Sequence, residues 1–172
     1  MEYIQVKGII WEDMVNYRKI STTLMMPKCD FKCDKENGVQ LCQNWELAAA
    51  PSITVPVESF VRSYLNNNIT EAIVFQGLEP LDSLVDVCTV CACLSDFKCE
   101  DDIVIYTGYN KDEISSNNIN LLKSCVYGQL RIKWGRYRPN QEPHYDDILG
   151  VNLASDNQYG ELIKHEYGNI RI

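Results

Sequence analysis

Three cysteines, Cys29, Cys33 and Cys42, stand on one short loop in the spacing C-x3-C-x8-C. They follow a strand-like run, Ser21 to Met26, and precede a strand-and-helix pattern carrying Gly77, Glu79 and Pro80. Thiolates are soft ligands, and three of them on one loop can hold a [4Fe–4S] cluster while leaving its fourth iron open. An open iron is what chemistry, as distinct from plain electron transfer, requires. Gly38 gives the eight-residue excursion before Cys42 a residue able to turn back. A structural zinc ion is a second reading; it asks for four ligands in two close pairs, and the fourth would come from Cys99, Cys125 or a carboxylate. Reduced thiols without metal are the third.

The chain has eight cysteines. Met1-Glu2-Tyr3 lacks the basic start of a signal peptide, and the apolar runs fall far short of the roughly 20 residues a membrane-spanning helix needs. A cytosolic protein with no membrane partner is therefore expected, and cytosolic thiols bind metal or pack in cores more often than they pair. Cys88 and Cys91 are one helical turn apart on an apolar face, whereas Cys93 points elsewhere on the same helix. With Cys99 and Cys125 they read as small core residues, and a second cluster or redox pair is the alternative.

A formal charge of −8 over 172 residues opposes phosphate-backbone binding, which needs clustered Lys and Arg. Nucleic acid is not expected as a partner. No Pro/Gly/Ser-rich linker divides the chain, so residues 1–172 read as one small domain, with a core over about 3–134 and a C-terminal extension over about 135–172.

The elements that must position the cysteines follow from periodicity. Residues 4–11 and Thr22 to Met26 read as strands. After Pro56, residues Val57, Phe60, Val61, Tyr64 and Leu65 fall at i, i+3, i+4, i+7 and i+8, an amphipathic helix. Ala72 to Phe75 is a short apolar strand, followed by a helix from about Asp82. Ile103 to Thr107 is the next strand, then a weaker helix over Lys111 to Lys123, then Val126 to Trp134, where Leu130, Ile132 and Trp134 alternate with polar residues. Leu149 to Leu153 adds a short strand pattern. The order β-α-β-α-β-α-β predicts parallel strands with right-handed crossovers, an α/β fold built as an open sheet or partial barrel. Ligands bind such sheets at the carboxyl ends of the strands, where the loops after Met26, Phe75 and Thr107 all lie.

Four segments carry a family likeness: Thr22 to Asn44, Phe75-Gln-Gly-Leu-Glu-Pro-Leu81, Ile105-Tyr-Thr-Gly-Tyr109 and Gly150 to Gln158. In this order the chain resembles the radical S-adenosylmethionine superfamily, and within it the activating proteins of anaerobic ribonucleotide reductase. The resemblance implies a partial (β/α) barrel of that type, a [4Fe–4S] cluster on Cys29, Cys33 and Cys42, and S-adenosylmethionine as the second cofactor, its methionine part chelating the open iron. Gly77 and Glu79 would orient that methionine part, and Thr107 would line the pocket. The implied enzyme is an oxidoreductase that cleaves S-adenosylmethionine reductively to a 5′-deoxyadenosyl radical. The implied radical acceptor is a glycine of the large subunit of an anaerobic ribonucleotide reductase, and the implied electron donor a reduced flavodoxin or ferredoxin.

The departures are specific. The usual loop is C-x3-C-x2-C, so six residues are added before Cys42; Leu41 stands where an aromatic residue usually precedes the third cysteine, and Trp45 follows it. The usual G-G-E-P appears as Gly77-Leu78-Glu79-Pro80. A radical enzyme acting on a small molecule, as in a deazapurine-type rearrangement, and a non-catalytic zinc or Fe–S module are the alternatives. Arg136 and Arg138 are candidate partners for a carboxylate of the cofactor or of a partner protein. Ser155 to Gln158 reads as a polar turn that the resemblance brings near the active-site opening. His144 and His165 sit in no nucleophile motif and read as surface residues.

Overall fold

A computed structural model describes residues 2–164 of the chain. In chain order its strands and helices are β1 (Tyr3–Val6), β2 (Gly8–Asp13), β3 (Ser21–Met26), α1 (Lys32–Asn37), α2 (Trp45–Ala49), β4 (Ile53–Pro56), α3 (Val57–Leu65), β5 (Ala72–Gly77), α4 (Leu84–Asp96), β6 (Asp102–Tyr106), α5 (Ser116–Cys125), β7 (Leu130–Trp134), β8 (His144–Asp146), β9 (Val151–Leu153) and β10 (Tyr159–Ile163). A 3-10 turn at Pro80–Ser83 leads into α4.

The main sheet is mixed, in the order β10-β7-β6-β5-β3-β2. Its four inner strands β3, β5, β6 and β7 are parallel, with antiparallel β2 and β10 at the two ends. The expected parallel β/α unit is present, and the architecture is mixed α/β. The run read as one strand over 4–11 is two: the chain breaks at Lys7, so β1 pairs with β4 while β2 joins the main sheet. Partial alternation over eight residues cannot show that its halves serve different sheets.

Alternation within the strands separates two faces. Leu24 and Met26, Ile73 and Phe75, Ile103 and Ile105, and Leu130, Ile132 and Trp134 pack in one core with α3, α4 and α5. Helix α3 contributes Val57, Phe60, Val61 and Tyr64, the stripe expected from its spacing, and each such burial removes about 1.5–3 kcal/mol worth of apolar surface from water. Cys88 and Cys91 lie in this core, with Cys93, Cys99 and Cys125 packed at its margin. Core packing accounts for them as small apolar residues.

The opposite face is more polar. Thr23, Asp102, Arg131 and Lys133 sit there beside Ala72, Val74 and Val104, and it is covered by Tyr17, Leu149 and Leu153. Asp102 anchors this side: it accepts from the Tyr17 hydroxyl at 2.8 Å and pairs with Lys19 at 2.8 Å and Arg131 at 2.9 Å. Burial alone would raise its pKa, but Lys19, Tyr17 and Arg131 hold it below the ordinary value. Asp13 closes the turn after β2, accepting from the amides of Val15 and Asn16 and from the Thr23 hydroxyl at 2.6 Å. The covering segment and the β8–β9 ribbon thereby turn a half-exposed sheet into one buried on both faces. No helix among the described residues is long and apolar enough to cross a membrane.

Candidate functional site

The cysteine loop leaves the carboxyl end of β3. On it the amide of Phe31 lies 3.2 Å from Cys29 Sγ, and the amide of Asn44 lies 3.4 Å from Cys42 Sγ. Phe31 takes a left-handed conformation (φ 55°) that costs a bulky residue strain and starts α1 at Lys32. Gly38, also left-handed at φ 67°, ends that helix and returns the chain. The added residues between Cys33 and Cys42 are thus a helical turn and its return. Asp34 spans them: its Oδ1 accepts the amides of Leu41 and Cys42, each at 2.8 Å, and its Oδ2 accepts Trp45 Nε1 at 2.9 Å. The Trp45 ring stacks on Phe31, centroids 4.5 Å apart and planes 7° apart.

Beyond Cys42 the loop is tied to the sheet at two places. Asn44 Nδ2 donates to the Gly77 carbonyl at 2.7 Å. Lys7, the residue that breaks β1 from β2, donates its ammonium to the carbonyls of Ala48 and Ala50 at the end of α2.

At the end of β5, Gly77 has φ 93°, and a Cβ there would stand 3.0 Å from Met25 Cα. Glycine is required on both counts. The chain then turns through Glu79, whose amide donates to the Lys28 carbonyl at 2.6 Å. The Glu79 carboxylate is buried at 6 % exposure. Its Oε1 accepts the Leu81 amide at 3.0 Å and the Thr107 hydroxyl at 2.8 Å, and its Oε2 accepts the Gly108 amide at 2.8 Å. Burial pushes its pKa up to about 7 against the lowering effect of these bonds. A carboxylate offers about four acceptor positions; three are filled, and the one left is on Oε2. Thr107 is itself buried, so its hydroxyl serves Glu79 and its own oxygen accepts the Tyr109 amide at 3.0 Å.

Cys29, Cys33, Cys42, Gly77, Glu79 and Thr107 all line one cavity of about 510 Å³. Lys133, whose place in the alternation of β7 marks it as polar-side, lines it too, at 8 % exposure. Its ammonium donates to the Gly135 carbonyl at 2.6 Å. Burial pulls its pKa down to about 8, with Glu79 acting in the opposite direction. Alternation along β7 marks Lys133 as polar-side; only the covering elements, which lack periodicity, reveal that this side is interior.

Arg136 reaches the same wall but is committed: its guanidinium meets both oxygens of Glu113 at 2.5 and 2.6 Å and pairs with Glu36 at 3.4 Å. Of the polar turn Ser155 to Gln158, which the resemblance brings near the active-site opening, Gln158 reaches the cavity. It accepts the amides of Ala154 and Ser155, and donates to the Gly135 carbonyl at 3.3 Å. Arg138 lies outside this cavity, in a separate polar hollow with Glu36 and Asn157. His144 is half-buried on β8, and His165 lies outside the described residues.

The donor set suits a cluster better than one ion. Three free, half-buried thiols converge on one cavity, and two of their sulfurs already face backbone amides, the hydrogen bonds that stabilise cluster thiolates. Among the described residues the ligand atoms that come within 4.8 Å of one another as a set of three are those of Cys29, Asp30 and Asp82, not the three sulfurs. Ligands of a single tetrahedral zinc, with bonds of about 2.3 Å, would stand about 3.8 Å apart; sulfurs bound to different irons of a cube stand wider. Burial pushes the Cys29 thiol up to about 12 and the Cys33 thiol up to about 11, so metal binding at this loop must displace protons.

Residues 17–144 match the family described as 4Fe-4S single cluster domain, and the chain belongs to that family. The match runs from the segment before β3 to β8 and includes the cysteine loop and the ends of β5, β6 and β7. No curated protein and no solved structure matches the chain.

Proposed function

We propose that this member of the 4Fe-4S single cluster domain family is a radical S-adenosylmethionine enzyme of the glycyl-radical-activating type, with its cluster on Cys29, Cys33 and Cys42. One observation carries the reading: the three thiols share a cavity of about 510 Å³ with a buried carboxylate, Glu79, and a buried ammonium, Lys133. An electron carrier has no need of such a cavity, and its volume lies in the range of small-molecule sites. When bound and reduced, the cluster supplies the electron and the open iron for cleavage of S-adenosylmethionine to methionine and a 5′-deoxyadenosyl radical.

The chain's own residues bind and orient. The free lone pair on Glu79 Oε2 is placed to accept from an ammonium, and Lys133 to donate to a carboxylate, so together they complement the two charged groups of an amino acid. Gly77 lets backbone approach closely where a side chain would collide with Met25. Leu41 and Leu47 give the cavity apolar wall beside the cysteines, excluding water from the sulfonium. The likeness of the cysteine loop and of the segments after β5 and β6 to the reductase-activating proteins supports a large protein as radical acceptor. A glycine of an anaerobic ribonucleotide reductase subunit is that acceptor, and a reduced flavodoxin or ferredoxin the donor.

The test is the formation of 5′-deoxyadenosine by the anaerobically reconstituted and reduced chain given S-adenosylmethionine, beside a Cys42→Ala variant. Product that depends on Cys42 is expected. A fully loaded, reducible cluster that yields none, with or without the reductase subunit, would overturn the reading.

A further inference from the structure

We infer that Asp34 is the positioning residue of the cysteine loop: its carboxylate clasps the excursion between Cys33 and Cys42 shut, so that Cys42 is presented beside Cys33 before any cluster is bound. The inference rests on the reading of Cys29, Cys33 and Cys42 as ligands.

A loop that runs eight residues between two ligands must be closed by something, because each ordered residue costs conformational entropy that a bound cluster would otherwise have to offset. Apart from the stack of Trp45 on Phe31, apolar packing does not close this one: neither α1 nor α2 contains a buried residue. The hydrogen bonds that join the Cys33 side of the excursion to the Cys42 side end on the Asp34 carboxylate, at the amides of Leu41 and Cys42 and at the Trp45 indole. Trp45 carries the connection on. It stacks on Phe31, whose amide faces Cys29 Sγ. One side chain therefore connects with the surroundings of all three cysteines, and Cys33 Sγ lies 3.7 Å from Asp34 Oδ1.

The two oxygens have separate partners, which makes the clasp separable by substitution. Asp34→Asn keeps one carbonyl oxygen for the two backbone amides and sets an NH2 group against the Trp45 N–H. Asp34→Ala removes every bond. Asn also removes a negative charge beside the ligands, and the potential of an iron–sulfur cluster rises when local negative charge is removed.

The experiment compares wild type, Asp34→Asn and Asp34→Ala in two forms. In the metal-free chains, hydrogen exchange at the amides of Leu41 and Cys42 should be at least tenfold faster in Asp34→Ala, with exchange in β5 and β6 and the thermal midpoint unchanged. In the reconstituted chains, iron should be lost to a chelator at least tenfold faster from Asp34→Ala. Asp34→Asn should stay near wild type in iron retention while its cluster is reduced at a less negative potential. An Asp34→Ala chain that matches wild type in exchange and in iron retention overturns the inference and leaves the ligand reading intact. A wild-type chain that takes up no iron overturns both. An Asp34→Ala chain with a lowered thermal midpoint and faster exchange throughout the sheet also overturns it, since the residue would then support the fold and not the loop.

Discussion

The Thr107 hydroxyl donates to Glu79 Oε1 across 2.8 Å, joining the loop after β6 to the loop after β5 beneath the cavity. Both residues are buried, so the bond is a charge-assisted contact with little water to replace it. Thr107→Val keeps the shape and deletes the donor. The expected cost is about 1–3 kcal/mol of stability, measured by urea unfolding at pH 8, where Glu79 is mainly ionised. Because one of the bonds that lower the Glu79 pKa is gone, the cost should shrink as pH falls below about 7, where the carboxyl is protonated in either chain.

Lys133 gives a prediction with the opposite sign of pH dependence. Its pKa in the folded chain is about 8, against an ordinary 10.5, because burial disfavours the charged form. Between those values the unfolded chain binds more protons than the folded one, so stability from this group rises as pH rises from 8 to 10.5. Lys133→Met leaves the Gly135 carbonyl with its bond from Gln158. It should raise unfolding free energy at neutral pH by about 1–3 kcal/mol, with the gain vanishing above pH 10. The same substitution should weaken S-adenosylmethionine binding by about tenfold to a hundredfold at pH 7. The wild-type advantage in affinity should fade as pH rises above about 8, read by equilibrium binding across that range.

Asp102 holds three partners on the far side of the sheet from the helices, and removing it would leave the Arg131 guanidinium, whose side chain is 13 % exposed, without its carboxylate. Asp102→Ala should cost about 3–5 kcal/mol. Its folded-state pKa is depressed, so its contribution is fully present above the ordinary carboxylate value and is lost as pH falls through the lower folded value. Acid unfolding of wild type against the variant checks the direction: the two curves should converge at low pH.

These sites differ in how plainly the sequence announces them. The amphipathic stripe of α3 and the apolar runs of β3, β5 and β6 are local patterns, and the structure places them in one core. The loops named from those strands do meet at a common edge, and Cys29, Cys33, Cys42, Gly77, Glu79 and Thr107 line one cavity there. Lys133 and Asp102 could not be found the same way. Each sits on the polar side of a strand, and what makes that side interior is Tyr17, Leu149 and Leu153 from segments without periodicity. Asp34 is hidden for a different reason: an aspartate in a polar loop is ordinary, and only the folded excursion shows both its oxygens engaged. Strand β9 falls within the short pattern read over Leu149 to Leu153, whereas its ribbon partner β8 and the closing strand β10, of three and five residues, carry too little alternation to be read.

The measurement that bears most directly on the account is the electron paramagnetic resonance spectrum of the anaerobically reconstituted, reduced chain, recorded before and after S-adenosylmethionine is added, with iron counted in parallel. About four irons per chain are expected, with a spectrum that changes when S-adenosylmethionine is added, and with loss of both in Cys29→Ala, Cys33→Ala and Cys42→Ala. A chain that binds zinc alone, or a cluster whose spectrum ignores S-adenosylmethionine and survives loss of these cysteines, would contradict it.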